Sequence, residues 1–196
     1  MNKDIPVFEL FPNGSLNFIA MVNDPAMDEL FIKFSKEEQP IDVKLSNEEK
    51  HIVTGPVLIP NKKIIRYNEK TNEPFYVFFS EETIEEVSQT FLRDNKNYNW
   101  DLEHDGVKVS DIFITESWLV EDSENDKANA LGFSVPKGTW MASAKVNNAD
   151  VWNKIKSGEL RGFSIEGPFL AGMVEEEDYD ALLSQVKNIL SQDDNL

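Results

Sequence analysis

Apolar residues in the first half of the chain recur as short runs: Val7 to Phe11, Leu16 to Val22, Leu30 to Phe34, His51 to Ile59 and Phe75 to Phe79. Turn-forming clusters stand between them at Pro12-Asn13-Gly14, Asp24-Pro25, Pro60-Asn61 and Asn72-Glu73-Pro74. Alternating or continuous apolar runs of this length, punctuated by Gly, Pro and Asn, predict strands. The period then changes. From Ser80 to Arg93, Ile84, Val87, Phe91 and Leu92 fall on one face of a helix. Ser80 is placed to cap it, and Glu81, Glu82, Glu85 and Glu86 suit the positive end of its dipole.

Further strands are predicted at Tyr98 to Glu103, Asp111 to Val120 and Thr139 to Val146, with a charged loop at Asp122 to Asn129. A second helix fits Ala149 to Ser157, capped by Asn148, with Val151, Trp152 and Ile155 inward and Gly158 as its stop. It leads directly into a strand around Ser164. The acidic run Glu175-Glu176-Glu177-Asp178 opens a third amphipathic helix, with Tyr179, Leu182, Leu183, Val186, Ile189 and Leu190 on one side. The expected organisation is one domain over residues 1–172, followed by an acidic amphipathic tail over 173–196. The tail's apolar stripe serves either as a cover for the sheet or as a tether to a partner.

Composition narrows the function classes. A chain of 196 residues with 40% hydrophobic content can bury one substantial core. No apolar run is long enough to span a bilayer, and Met1-Asn2-Lys3-Asp4 lacks a secretory pattern, so an intracellular protein without membrane contact is expected. The formal net charge of -17 repels phosphate backbones, which argues against direct nucleic-acid binding. The absence of cysteine removes disulfides, thiolate metal sites and cysteine nucleophiles, leaving Ser, Thr, Lys or a carboxylate for covalent catalysis.

Within that limit, Arg161-Gly162-Phe163-Ser164-Ile165-Glu166-Gly167 sets one serine in an apolar run closed by glycine on both sides. Glycine near a nucleophile gives a substrate carbonyl room and leaves backbone N–H groups for an oxyanion; the plainer alternative is a bulge or close strand packing. The spacing is not the G-x-S-x-G elbow, whose second glycine would stand at Glu166. A serine nucleophile needs a base, and the chain has two histidines, His51 and His104. His104 ends a predicted strand at a turn, where a rigid scaffold meets solvent, whereas His51 follows Glu48-Glu49-Lys50 and reads as more solvated. A triad also needs an acid, for which Glu166, Glu116 and Asp122 remain open.

No cofactor and no metal are expected. Neighbouring Glu103, His104 and Asp105 on a regular strand would point to opposite faces, and there is no H-E-x-x-H helix. Asp122, Glu124 and Asp126 have a calcium-loop spacing, but Lys127 and Phe133 occupy the positions that loop reserves for glycine and a bidentate acid.

Taken together, several stretches resemble the bacteriophage prohead proteases of the XkdF-like serine protease family. They include Val53-Thr54-Gly55-Pro56-Val57-Leu58-Ile59-Pro60, Phe75-Tyr76-Val77-Phe78-Phe79-Ser80, Leu102-Glu103-His104-Asp105 and Glu116-Ser117-Trp118-Leu119-Val120-Glu121-Asp122. Gly132-Phe133, Gly138-Thr139-Trp140-Met141 and Lys156-Ser157-Gly158-Glu159-Leu160-Arg161-Gly162-Phe163-Ser164-Ile165-Glu166-Gly167 extend the likeness, which covers about Leu16 to Phe169. The resemblance implies an α+β fold, mainly β, with a barrel-like core flanked by helices as in the herpesvirus assemblins. It implies a serine endopeptidase with Ser164 as nucleophile and His104 as general base, acting in the host bacterial cytoplasm inside the immature phage capsid. Its substrates would be scaffold and major capsid proteins, and the enzyme itself.

Assemblins use a second histidine after the serine, and this chain has none beyond His104, so a dyad or a carboxylate third member is implied. The segment Phe18-Ile19-Ala20-Met21-Val22-Asn23-Asp24-Pro25-Ala26 resembles a strand and turn that other prohead proteases place after their serine. This suggests a circular permutation of the same barrel, and it requires the Leu16 to Val22 strand to share a sheet with Ser164. Two rival readings are a non-catalytic scaffold or assembly protein on the same fold and a carboxylate-rich metal-binding module.

Overall fold

A computed structural model describes residues 5–27, 32–34, 50–68 and 70–173. The predicted helix from Glu175 onward lies outside these residues. The described chain forms eleven strands and three helices, a mainly β member of the α+β class.

The strands form three sheets. In the first, β1 (Val7–Pro12) lies between β11 (Phe169–Met173) and β6 (Pro74–Phe78), with β5 (Ile64–Tyr67) beyond β6. The third is antiparallel throughout, in the order β3 (Ile32–Phe34), β4 (Ile52–Leu58), β9 (Trp140–Val146), β8 (Ile112–Leu119). The second is a three-stranded sheet centred on β2 (Phe18–Val22), which pairs antiparallel with β10 (Gly162–Glu166) and parallel with β7 (Trp100–Leu102).

The Leu16 to Val22 segment is thus the direct neighbour of the Ser164 strand, as the resemblance requires. A barrel is not what the described residues form. Each sheet ends in edge strands, and no ladder joins one sheet to the next, so where a barrel-like core was expected the described residues form three open sheets around a shared core. Two features interrupt ladders locally. Pro56 has no N–H to donate, and the β4–β9 register shifts beside it; β7 stops after three residues in a left-handed turn.

The helices follow from their caps. Ser80 accepts from the Thr83 N–H at the start of α1 (Glu81–Arg93), whose buried Ile84, Val87 and Phe91 face the sheets; the Phe91 ring meets Trp140 at 5.9 Å. Asp126 and Asn129 form a reciprocal capping box on the short α2 (Lys127–Ala130), inside the segment read as a charged loop. Asn148 caps α3 (Ala149–Ser157), and Gly158 ends it at φ 81°, a left-handed conformation that suits glycine.

From that stop the chain passes straight to β10. The Arg161 N–H donates to the Val22 carbonyl at 2.8 Å, and its Nε donates to the Asn23 carbonyl at 2.9 Å, fixing the start of β10 against the end of β2. The core side of this sheet is apolar. Trp100 and Phe163, both fully buried, meet at 5.6 Å between ring centres, and Ile19 and Met21 lie between them on the same face. Among the described residues, no helix is long and apolar enough to cross a membrane.

Gly167 ends the serine strand for a packing reason. A Cβ there would stand 2.8 Å from Leu16 Cδ2 and 3.0 Å from its Cα, and backbone cannot move aside as a flexible side-chain tip can. Gly167→Ala is therefore expected to destabilise the fold by about 1–3 kcal/mol, read as a lower urea midpoint at unchanged slope. A midpoint equal to that of the unaltered protein would show that Leu16 yields freely.

Candidate active site

Register across the short sheet decides which side chains can meet. Ser164 lies opposite Ala20, and Ala20 lies opposite Asp101, so the three form one row on one face. Two residues along β10, Glu166 projects to that same face, while Phe163 and Ile165 point to the other. Ser164 and Asp101 stand two strand spacings apart, roughly 10 Å between backbones. Between them stands Ala20, small and fully buried.

His104 reaches this face through an unusual turn. Glu103 and His104 have φ of 52° and 60°, and the Asp105 N–H closes the turn onto the Leu102 carbonyl at 3.1 Å. Two successive positive φ values mark a type I′ turn, which prefers Gly, Asn or Asp; holding Glu and His there costs about 1–2 kcal/mol per residue. The strain is held by anchors at the end of β2: the Glu103 N–H donates to the Met21 carbonyl at 3.1 Å, and Glu103 Oε1 accepts from the Asn23 N–H at 2.8 Å. The outcome is that donor atoms of His104, Asp101 and Glu166 lie within 4.8 Å of one another.

The environment of the two carboxyl groups is distinctive. Asp101 is fully buried; its Oδ2 accepts from the Gly106 N–H at 3.2 Å, and its Oδ1 has no donor. Glu166 Oε2 is likewise buried without a donor. Burial raises the Asp101 pKa above the ordinary carboxylate range. The Gly106 N–H opposes that shift, the facing Glu166 carboxyl adds to it, and His104 offsets part of it.

The other residues singled out from the sequence are placed as follows. Ser164 is 7% exposed, and among the described residues no hydrogen bond joins it to His104. Glu116 lies on β8, where it accepts from Ser143 Oγ at 3.0 Å and pairs with Lys127; these contacts lower its pKa. Asp122 closes its own turn by accepting from the Glu124 and Asn125 N–H groups, which with the Asn125 side chain lower its pKa. Of the three open acids, it is Glu166 that shares a face with Ser164 and a cluster with His104.

His51 differs from the solvated residue expected of it. Its ring stacks on Trp152 at 4.5 Å and its Nδ1 donates to the Val146 carbonyl at 3.0 Å, so it joins α3 to β9 as a structural group. Asp101 was missed in the sequence. A polar residue between two core-facing neighbours, Trp100 and Leu102, was the available signal, but only strand register reveals what it faces.

Beside Ser164 lies a cavity of about 230 Å³ with a largely apolar wall that includes Met27, Val57, Leu58 and Phe79. Ser164 and Glu166 line one side, and Arg66 of β5 lines another. Ser164 and Glu166 thus border the apolar pocket, and Glu166 also belongs to the cluster with His104 and Asp101; a hydroxyl, an imidazole and two carboxyl groups are the parts of general-base nucleophilic chemistry.

A family model described as "Putative phage serine protease XkdF" matches residues 41–171. No curated protein and no solved structure matches the chain.

Proposed function

The chain belongs to that family of phage serine proteases, and from this premise we propose that it is a serine endopeptidase of capsid maturation. The supporting observation is the gathering of Ser164 and the Asp101–His104–Glu166 cluster on one face of a three-stranded sheet.

In this reading the Ser164 hydroxyl attacks the scissile carbonyl while His104 takes its proton, then returns it to the leaving amine. The imidazolium formed midway is stabilised by the carboxyl pair of Glu166 and Asp101, which gives the third member of the triad a physical basis that Glu116 and Asp122 lack. Backbone N–H groups near Ser164 stabilise the oxyanion. The Ser164–His104 hydrogen bond forms as substrate enters, since such bonds are commonly long in free enzymes. The apolar cavity receives a side chain of the substrate and keeps water from the acyl-enzyme.

The proposed substrates are the scaffold and major capsid proteins within the immature capsid in the host cytoplasm, with self-cleavage closing the sequence. The test is co-expression of the protease with those proteins, followed by intact-mass spectrometry. The account expects shortened scaffold and capsid chains with the unaltered protease and full-length chains with Ser164→Ala. Full-length chains in both samples would favour an assembly protein without catalysis.

A further inference from the structure

We propose that Asp101, His104 and Glu166 form a binding site for a divalent cation of the zinc class, and that the bound ion holds the protease inactive by occupying the imidazole of His104. The second half rests on the protease reading above; the first half does not.

The geometry carries the site. One nitrogen and two carboxylate oxygens come from separate places in the chain, yet their donor atoms lie within 4.8 Å of one another. Acidic clusters on protein surfaces are common, but this one has a feature they lack. Asp101 is wholly buried, and the Gly106 N–H occupies Oδ2 while Oδ1 is left without a donor. Glu166 Oε2 is in the same condition. Buried polar atoms almost always have partners, and two facing carboxyl oxygens with no N–H donor are satisfied by a proton shared between them or by a cation held between them.

Chemistry selects the kind of ion. An imidazole with two carboxylates suits zinc and its first-row neighbours, whereas calcium takes six to eight oxygens and magnesium retains most of its water. Two carboxylates cancel the charge of a divalent ion, removing the repulsion of paired buried anions. The net charge of -17 also raises the local concentration of cations.

Ligands about 2.0–2.2 Å from a tetrahedral ion stand roughly 3.3–3.6 Å apart, so the cluster must contract when it binds. The exposed His104 on its two-residue turn is the member able to move, while Asp101 is held by β7 and by Gly106. The Gly106 contact also resembles the outer-shell hydrogen bonds that orient carboxylate ligands. The consequence for catalysis is direct: an imidazole whose lone pair is on a metal cannot take a proton from Ser164.

The binding test uses the full chain carrying Ser164→Ala, which cannot digest itself, titrated with zinc chloride in a calorimeter. One equivalent is expected to bind in the micromolar range, and His104→Ala or Asp101→Asn added to it should weaken binding by about 100-fold or more. His104 is exposed, so its variant remains informative should Asp101→Asn fail to fold. No saturable binding, or binding that both variants leave unchanged, would overturn the site. Equal affinity for magnesium would overturn the zinc-class assignment.

The activity arm measures substrate cleavage by the unaltered chain at one equivalent of zinc, then with excess chelator. Loss of cleavage and its recovery are expected. Cleavage that persists with the ion bound would overturn the inhibitory half. Specific zinc binding with no cleavage under any condition would leave the metal site standing and remove the protease reading instead.

Discussion

Replacing Ser164 by alanine is expected to stop processing of co-expressed scaffold, with the rate of peptide cleavage falling by about 10⁴-fold or more. His104→Ala should have a comparable effect. The two groups act as a unit, since the hydroxyl is a nucleophile only while the imidazole takes its proton. Losing both should therefore cost little more than losing either. Neither change should unfold the protein. Ser164 makes no hydrogen bond to a described residue that alanine would break, and His104 sits exposed on a turn. Cleavage at an undiminished rate by the Ser164→Ala protein would remove the mechanism, and multiplicative losses in the double variant would show that the two residues work separately.

The largest effect on stability is expected at Trp100. Its side chain is fully buried, its indole N–H donates to the Asn97 carbonyl at 3.1 Å, and its ring packs on Phe163 directly behind the serine strand. Trp100→Ala removes that contact and the indole hydrogen bond and leaves a cavity, while the Asn97 carbonyl keeps the Ile114 N–H, for a cost of about 3–5 kcal/mol. Domains of this kind have about 5–15 kcal/mol in total, so the change consumes a large part of the margin. Urea unfolding followed by tryptophan fluorescence and by circular dichroism should give coincident transitions with the midpoint displaced downward. A loss under about 1 kcal/mol would mean that β7 is not an anchor of the site's sheet.

Much of this architecture is written locally. The caps Ser80 and Asn148 and the stop at Gly158 are where hydrogen bonding at helix ends demands them, and the continuous apolar runs of β4 and β9 are buried as such runs should be. What escaped was either exposed or dependent on distant partners. In β5 only Ile64 is buried, and β11 is a mostly exposed edge strand interrupted by Gly172, so neither carries a periodic signal. The four-residue α2 is too short to show helical spacing and is made by its capping box.

The candidate site divides in the same way. Ser164, His104 and Glu166 could be nominated from residue type and position, but the role of Asp101 depends on the parallel register that sets it opposite Ala20. The alternation rule spoke only against one ion shared by Glu103, His104 and Asp105, and those three are not what the fold gathers. Left-handed backbone at Glu103 and His104 instead folds the imidazole back beside Asp101 of β7 and Glu166 of β10, which residue order alone does not show. His51 was misjudged for a related reason: its sequence neighbours are charged, while its spatial neighbour is the ring of Trp152.

The most direct test of Ser164 as an activated nucleophile is its covalent capture. The protein, treated with excess chelator, would be reacted with a fluorophosphonate and digested, and the modified peptide mapped by mass spectrometry. The account predicts a single adduct on Ser164 in the unaltered chain, absent from the His104→Ala protein. An adduct on a different serine while substrate cleavage proceeds, or no adduct at all in a protein that cleaves its substrates, would contradict it.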